Sequence, residues 1–290
     1  MPAGVDPDEF LARLGGIRRD ILARHAATDA GRRAERLLAR LEATLSRPVR
    51  AAILGEVNSG KTTFANRLLG SDLLATDVIE NTRLPVVIGW APRPELHVRL
   101  ADGTRRPVAG GRSEGEGSAG SARRIAIEIG IPRDALRRIE LVDTPGLVAE
   151  APLRGHRIVP GRPVDIAVWC TIATQAWRAS EIAHWRALGY APARSVLVAT
   201  RADLLAPADR EKVGLRLARE AGPLFGSIVL VPRDGQPGAV PVAFDLLASA
   251  ELSVRQDRCR RAAAIVGRHL ALLEPAGRFP HGQLLAGAEA

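Results

Sequence analysis

One nine-residue stretch constrains the fold of this 290-residue chain more than any other. Residues 55–63 read Gly-Glu-Val-Asn-Ser-Gly-Lys-Thr-Thr, which fits the phosphate-binding loop pattern of a glycine, any four residues and then Gly-Lys-Thr. Such a loop wraps backbone N–H groups around a polyphosphate, and Gly60 lets the chain approach it without a side chain in the way. The helix that follows directs its positive N-terminal end at the anion.

The pattern predicts a role for individual side chains of this loop. Lys61 supplies a positive charge to the phosphates, and the Thr62 hydroxyl faces a magnesium ion. The alternative is an accidental glycine turn, but an apolar strand candidate at 50–54 and helical apolar spacing after the loop favour the phosphate site. The residues predicted to contact a nucleotide here are Gly55, Glu56, Val57, Asn58, Ser59, Gly60, Lys61, Thr62 and Thr63.

Apolar strand-like runs alternate with helical patterns along the middle of the chain. The predicted strands are 50–54, 86–90, 95–100, 125–131, 139–143, 165–170, 195–200 and 227–231, and the predicted helices between them include 180–188 and 210–221. This alternation predicts an α/β fold of the P-loop NTPase type, with a mainly parallel sheet covered by helices on both faces. The second and third strands, separated by residues 91–94, are predicted to form a hairpin.

Both ends of the chain carry helical patterns outside this sheet. Residues 8–45 contain two apolar stripes with a break near 28–31, and residues 245–273 read as one long helix. We expect N-terminal helices over 1–48, a nucleotide-binding domain over 49–240, and at 241–290 a C-terminal helix that packs on the N-terminal helices before a frayed tail. A basic amphipathic helix can also lie on a membrane, but packing on another helix is favoured.

The composition points to an ordinary reduced, intracellular protein. The formal net charge of +9 would suit a nucleic acid or an anionic membrane, but 39 of the 41 basic residues are arginine and they are spread along the chain. We therefore favour an ordinary solvated surface over a nucleic-acid interface. Two cysteines, an acidic start and no long apolar run predict a cytoplasmic protein, with peripheral attachment to the inner face of the membrane as the alternative location.

A second motif follows a predicted strand 82 residues after Lys61. Residues 143–146 read Asp-Thr-Pro-Gly, and a strand that ends in Asp-x-x-Gly after a phosphate loop is typical of a GTPase. Asp143 is predicted to hold the magnesium ion, usually through water, and the Gly146 N–H to sense the terminal phosphate. The alternative interpretation is a plain Asp-Pro-Gly turn.

A third motif, Thr200-Arg201-Ala202-Asp203, follows the next-to-last predicted strand. A carboxylate accepts two hydrogen bonds from N1–H and the 2-amino group of guanine, whereas adenine leaves it unpaired. Asp203 is therefore predicted to select guanine, with Thr200 and Arg201 in the same nucleotide-binding loop. The competing role for Asp203 is a helix N-cap.

Together these segments resemble the nucleotide motifs of bacterial dynamin-like GTPases. The resemblance covers roughly residues 49–240, and its most specific part is Asn81-Thr82-Arg83-Leu84-Pro85. It implies that Thr82, on a mobile loop at 71–83, binds magnesium and orients the attacking water. It also implies flanking helices bundled beside the GTPase domain, GTP-dependent homodimerisation across the nucleotide face, and action at membranes.

The chain also departs from that family. Arg201 stands where the base-recognition motif usually has lysine, and its aliphatic stem can pack on the purine in the same way. Only about sixty residues follow the last predicted strand. We therefore expect a reduced member without a long stalk, one that acts with an unidentified protein partner.

The catalytic group that orients water is a separate question. Leu147 stands where small signalling GTPases carry glutamine, which closes that route. Asn58 stands where related cation-activated GTPases place an asparagine on potassium, so we hypothesise a potassium or sodium ion there; the alternative is that Asn58 only braces the loop. The predicted catalytic residues are Lys61, Thr82, Asn58 and Gly146.

The predicted function is binding of GTP with magnesium and its hydrolysis to GDP and phosphate by direct attack of water. Three outputs stay open from the sequence: a dynamin-like enzyme at a membrane, an RNA- or ribosome-associated GTPase, and a regulatory switch module with very slow turnover.

Overall fold

The computed structural model describes residues 6–70, 84–108, 123–147, 161–232 and 239–270, with the backbone alone for 239–246 and 270. These residues form two compact units, one from 6–47 and 251–270 and the other from 48–250. Two sequence predictions fall outside the described residues: the loop at 71–83 with Thr82, and the frayed tail, which lies after 270.

The first unit is a small helical bundle. Helix α1 runs over Pro7–His25. Its N-cap is Asp6, whose side chain accepts hydrogen bonds from the backbone N–H groups of Asp8 and Glu9. Helix α2 runs over Asp29–Leu45. A break separates the two helices as predicted, but it lies at 26–28 because residues 29–31 already belong to α2. The apolar residues that these helices bury with the C-terminal part of the chain are Phe10, Leu14, Ile21, Ala34, Leu38, Leu45, Cys259, Ala262, Ala263 and Val266.

The second unit is built on a nine-stranded sheet. The strands are β1 Val49–Leu54, β2 Val86–Trp90, β3 Glu95–Leu100, β4 Arg105–Pro107, β5 Arg124–Ile131, β6 Ile139–Asp143, β7 Ile166–Ile172, β8 Ser195–Thr200 and β9 Ser227–Val231. Their order across the sheet is β4-β3-β5-β2-β6-β1-β7-β8-β9. Strands β6, β1, β7, β8 and β9 are mutually parallel, which confirms the predicted α/β sheet.

The remaining described α-helices follow β1, β7, β8 and β9 along the chain. Helix α3 covers Lys61–Leu69, α4 covers Ala179–Leu188, α5 covers Pro207–Glu220, and the last helix, α6, covers Ala239–Leu270. The start of α6 lies six residues before the predicted one. Among the described helices, none combines the length and the apolar character needed to cross a bilayer.

The predicted hairpin between β2 and β3 is wrong. Strand β5 lies between them, parallel to β2 and antiparallel to β3. Five consecutive residues of β5, 126–130, are buried, and a strand buried on both faces needs neighbours at both of its edges. At Gly130 a Cβ atom would lie 2.5 Å from the Ala91 Cβ, so the absence of a side chain there lets the β2–β3 connection cross over β5.

The core explains why the centre of this sheet is rigid. All six residues of β1 and the first six of β7 are buried, as expected for parallel strands covered on both faces. Trp169 of β7 is fully buried and packs edge-on against Trp185 of α4, whose ring stacks on Phe225 at a centroid distance of 4.3 Å. The carboxyl ends of β1, β6, β7 and β8 therefore form a firm edge on which a site can be built.

Candidate functional site

The sequence motifs meet at the carboxyl edge of the parallel strands. The loop at 55–60 leaves β1 and enters α3, Asp143 ends β6, and Thr200 ends β8. These segments are separated by up to 140 residues in sequence, and the strand order brings them together. This edge is where open α/β sheets bind ligands.

The phosphate loop has the backbone conformation that its glycines permit. Gly60 has φ of 85°, and a Cβ atom there would lie 3.0 Å from the Thr200 hydroxyl oxygen. At Gly55 a Cβ atom would lie 2.4 Å from the carbonyl oxygen of Cys170. Both glycines are therefore required by close approach as well as by conformation, and the turn is not an accidental one.

Lys61 is buried at the first position of α3. Its Nζ donates to the carbonyl oxygen of Glu56 at 2.7 Å and lies 3.5 Å from the Ser59 hydroxyl, so the ammonium group spans the loop from within. Burial lowers the pKa of Lys61, because desolvation disfavours the charged form. The ammonium group is held to loop oxygens in a site that largely excludes water. It can exchange these acceptors for a phosphate oxygen when a nucleotide binds.

Thr62 and Asp143 form the pair that the sequence predicts for magnesium. The Thr62 hydroxyl donates to Asp143 Oδ2 at 2.8 Å, although the residues are 81 positions apart. Asp143 Oδ1 is buried and has no hydrogen-bond partner. Burial raises the pKa of Asp143 to about 6, against a smaller opposing effect of the Thr62 hydrogen bond.

These features fit a magnesium ion. An unpartnered buried carboxylate oxygen beside a threonine hydroxyl offers the hard oxygen ligands that magnesium prefers. Within the described residues there is no group of three His, Cys, Asp or Glu side chains that could hold a metal alone. The donor set is therefore one that a nucleotide's phosphate oxygens would complete.

The Asp-Thr-Pro-Gly segment lies directly against the phosphate loop. Leu147 N–H donates to the Gly55 carbonyl at 3.0 Å, and Val57 N–H donates to the Leu147 carbonyl at 3.3 Å. At Gly146 a Cβ atom would lie 2.8 Å from Val57 Cα. Gly146 thus lies against the loop, while the Leu147 side chain packs against the sheet core. The contact of the Gly146 N–H with a terminal phosphate stays a prediction.

Thr200 connects the loop to two strands. Its hydroxyl oxygen lies 2.8 Å from the Ser59 carbonyl and 3.0 Å from the Thr171 carbonyl, and it donates to one of them at a time. The Thr171 hydroxyl in turn donates to the fully buried carboxylate of Glu181 at 2.9 Å. This chain of buried contacts fixes the back of the loop to β7 and to the beginning of α4.

The predicted base-recognition segment is more open. Arg201 has φ of 57° and a half-exposed side chain whose Nη2 donates to the Asn58 carbonyl at 3.3 Å, and Asp203 is exposed on a short 3₁₀ turn at Ala202–Leu204. A hollow lies beside this turn. Its lining residues are Gly60, Thr63, Phe64, Arg67, Thr200, Arg201, Val231 and Pro232.

Asn58 occupies the exposed crest of the loop. Its φ is 63°, a left-handed conformation that asparagine tolerates better than most residues. The left-handed backbone is by itself a sufficient reason for an asparagine at this position. The monovalent cation at Asn58 therefore stays a prediction. Thr82, predicted as a second metal ligand, lies outside the described residues.

Sequence reasoning missed one group of charges at this edge. Arg178, at the start of α4, forms an ion pair with the Glu56 carboxylate, and His184 Nδ1 lies 3.6 Å from the same carboxylate. Arg178 and Glu56 are 122 residues apart, so no local pattern links them. The helix predicted over 180–188 does not place Arg178 at the N-cap, and only the structure shows this arginine where Ser, Thr, Asp or Asn is usual.

Comparisons with known proteins agree with this geometry. Residues 51–184, just under half of the chain, match the family model described as "Dynamin family". The isoniazid-induced protein IniC of Mycobacterium tuberculosis is 30% identical over 160 residues, which cover 52% of this chain and 32% of IniC. Dynamin-like protein 2 of Campylobacter jejuni is 30% identical over 151 residues, covering 51% of this chain and 24% of the relative.

A third relative and the solved structures extend the likeness. GTPase Der of Rhodopseudomonas palustris is 31% identical over 166 residues, or 50% of this chain and 32% of Der. This chain thus spans about a third or less of these relatives. One solved structure comes from a study of an oligomerised bacterial dynamin pair in the sensing and tethering of membranes. Its alignment covers 82% of this chain and 41% of the solved chain, with a TM-score of 0.55 and 18% identity. This likeness shows a shared fold.

Proposed function

We propose that this chain binds GTP with magnesium and hydrolyses it to GDP and phosphate by direct attack of water, because residues 51–184 match the dynamin family model and the chain is similar to a dynamin-like protein. The observation that carries the proposal is the contact between Thr62 and Asp143 beside the buried Lys61. It unites the phosphate-loop motif and the Asp-x-x-Gly motif in one preformed site. Preformed donors cost little reorganisation when charge develops on the phosphates.

The loop supplies the binding of the phosphates. Backbone N–H groups over 58–62 surround them, and Lys61 exchanges the Glu56 carbonyl for a phosphate oxygen. Magnesium, held by Thr62 and through water by Asp143, would neutralise charge between the phosphates. Gly146, held within van der Waals contact of Val57, offers its N–H to the terminal phosphate.

Two roles remain, orientation of the attacking water and binding of a monovalent cation. We assign Thr82 as the second metal ligand that also orients the attacking water, on the strength of the family resemblance alone. Asn58, exposed on the loop crest, is available to hold a potassium or sodium ion. Hydrolysis measured in potassium, sodium and a bulky organic cation tests this: equal rates in all three end the cation hypothesis.

Guanine selection is assigned to Asp203. Its carboxylate follows β8 beside the hollow that Phe64, Arg201 and Val231 line, the place where a base would extend from the phosphate loop. Titration with GTP and with ATP, each with magnesium and with a chelator, tests both the nucleotide and the metal. We expect tight binding of GTP with magnesium and weak binding of ATP; equal affinities would contradict the assignment.

A GTP-dependent homodimer across the nucleotide face completes the proposal, and a protein partner or an anionic membrane surface would act with it. Support comes from Val57, an apolar side chain that is 54% exposed on the phosphate loop itself, and from the fold shared with a member of an oligomerised bacterial dynamin pair. Sedimentation with GDP and with GDP plus aluminium fluoride tests dimerisation. A monomer in both states would contradict it.

A further inference from the structure

The turn that precedes α4 is strained and firmly held. Trp177 has φ of 64°, which is rare for a bulky residue, and yet it is buried with its ring edge-on to Phe225 at 5.2 Å. The Arg216 guanidinium donates to the Ala176 carbonyl at 2.7 Å from the neighbouring helix α5. Strain that the surroundings maintain is a reason to look for a function at the next residue.

That next residue, Arg178, is the N-cap of α4, and it breaks a local rule. An N-cap side chain normally accepts a hydrogen bond from the first turn, and a guanidinium has no acceptor to offer. Only one half of the cap is made: the Arg178 N–H donates to Glu181 Oε2 at 2.9 Å. The backbone of Arg178 is therefore fixed by a buried carboxylate. The guanidinium Nε also lies 4.0 Å from Glu181 Oε2, which leaves Nη2 for another partner.

The Arg178 side chain reaches the phosphate loop. Its Nη2 pairs with Glu56 Oε2, and the Arg178 side chain stays 46% exposed while that of Glu56 is only 13% exposed. The other oxygen, Glu56 Oε1, is buried without a hydrogen-bond partner, and His184 Nδ1 lies 3.6 Å from it. Arg178 is thus the principal counter-charge to a carboxylate in the second position of the loop.

A carboxylate at this position disfavours the binding of an anion. The Glu56 backbone carbonyl accepts the hydrogen bond of Lys61 Nζ. The next residue, Val57, donates its N–H to Leu147, which follows Gly146. Glu56 therefore lies in the part of the loop that is predicted to bind the phosphates. Without a counter-charge, its negative charge would repel a polyphosphate. The repulsion grows with the charge of the ligand, so it weakens triphosphate binding more than diphosphate binding.

We propose that Arg178 is a positioning residue of the phosphate site: by pairing with Glu56 it cancels and holds a loop carboxylate, and so favours binding of the nucleoside triphosphate over the diphosphate. This inference rests on the proposed function, because it concerns the same site. It goes further in assigning part of the triphosphate preference to α4, outside the nucleotide motifs.

Equilibrium binding of a fluorescent, non-hydrolysable GTP analogue and of fluorescent GDP tests the inference. Arg178→Ala should weaken the triphosphate analogue roughly tenfold and GDP only about threefold, on a Coulomb estimate for one uncompensated charge. The double variant Arg178→Ala/Glu56→Gln should return both affinities to within about threefold of the unmodified chain.

Two further variants serve as controls. Arg178→Lys, which keeps the charge, should retain most of the preference for the triphosphate over the diphosphate. Arg186→Ala, which removes an exposed arginine from the same helix, is the matched control and should change neither affinity.

The remaining outcomes separate this inference from the proposed function. Equal losses for both nucleotides, or a loss that Glu56→Gln does not restore, would mean that Arg178 only stabilises the fold of α4 and would overturn the inference. If Arg178→Ala binds both nucleotides as the unmodified chain does, the inference fails and the proposed function stands. If the unmodified chain binds neither nucleotide, the proposed function fails and the inference falls with it.

Discussion

The two ends of the candidate site are built differently. At the phosphate end Lys61 and Asp143 are 7% and 6% exposed, and they are tied to the loop and to α3 by short hydrogen bonds. At the base end Asp203 is exposed on a short turn, and the half-exposed Arg201 makes a long contact of 3.3 Å with the loop. One end is thus largely preformed, and the other presents its side chains to solvent.

The difference follows from what each end has to bind. Phosphates are recognised by charge and by backbone dipoles, which gain strength when water is excluded and geometry is fixed. A base is recognised by a few directional hydrogen bonds, and here they would come from an exposed carboxylate. Changes at the phosphate end should therefore have large effects on affinity and stability, and changes at the base end should alter selectivity with smaller effects.

The largest effect is expected at Lys61. Lys61→Ala should weaken GTP binding on the order of a thousandfold, because a buried charge-assisted contact to phosphate is lost. Titration calorimetry with GTP and magnesium measures it. The matched control is Lys212→Ala, which removes the chain's other lysine from an exposed position on α5. Similar affinities for the two variants would contradict the special role of the phosphate end.

A second large effect concerns pH and stability at Asp143. Its pKa of about 6 in the folded chain lies above the ordinary value of 3.8, so the folded protein binds more protons between these values. The stabilisation from this group is fully present below pH 4 and is lost as pH rises through 6, by about 3 kcal/mol. Urea unfolding in a chelator from pH 4 to 7 should show this loss relative to Asp143→Asn; parallel profiles would contradict it.

A smaller effect is expected at the base end. Asp203→Asn should weaken GTP binding about thirtyfold, because a carboxylate that accepts two hydrogen bonds becomes an amide that accepts only one of them. The variant should gain affinity for xanthosine triphosphate, whose 2-oxo group accepts a hydrogen bond from the amide. Competition between the two nucleotides measures the change. The structure places Asp203 inside the turn Ala202–Leu204 and not at a helix N-cap. A loss of both affinities, with a lowered melting temperature, would instead indicate that Asp203 only stabilises this turn.

The same contrast explains what the sequence could predict. The loop at 55–63, the Asp143 motif and the central strands follow from local patterns, since buried parallel strands read as apolar runs and phosphate loops need glycine at fixed spacing. The resemblance to dynamin-like GTPases was carried by these local motifs, and it is confirmed by the family match over residues 51–184.

The errors and omissions are non-local. The β2–β3 hairpin was predicted from adjacency in sequence, whereas β5, which begins 24 residues after β3 ends, takes the place between them. The Arg178–Glu56 pair joins two segments at the sheet edge, and no local sequence pattern indicates it. Side-chain partners of this kind depend on strand order, which hydrophobic periodicity does not encode.

The most direct test of GTP hydrolysis at this loop is phosphate release by the full chain with magnesium, measured at rising protein concentration beside Lys61→Ala. We predict release that depends on magnesium, a rate per molecule that climbs with concentration as nucleotide-face dimers form, and no release by Lys61→Ala. A slow rate that does not change with concentration but is lost with Lys61 would keep the GTPase and remove the dimer. A rate that Lys61→Ala leaves unchanged would contradict the central claim that this loop is the site of GTP hydrolysis.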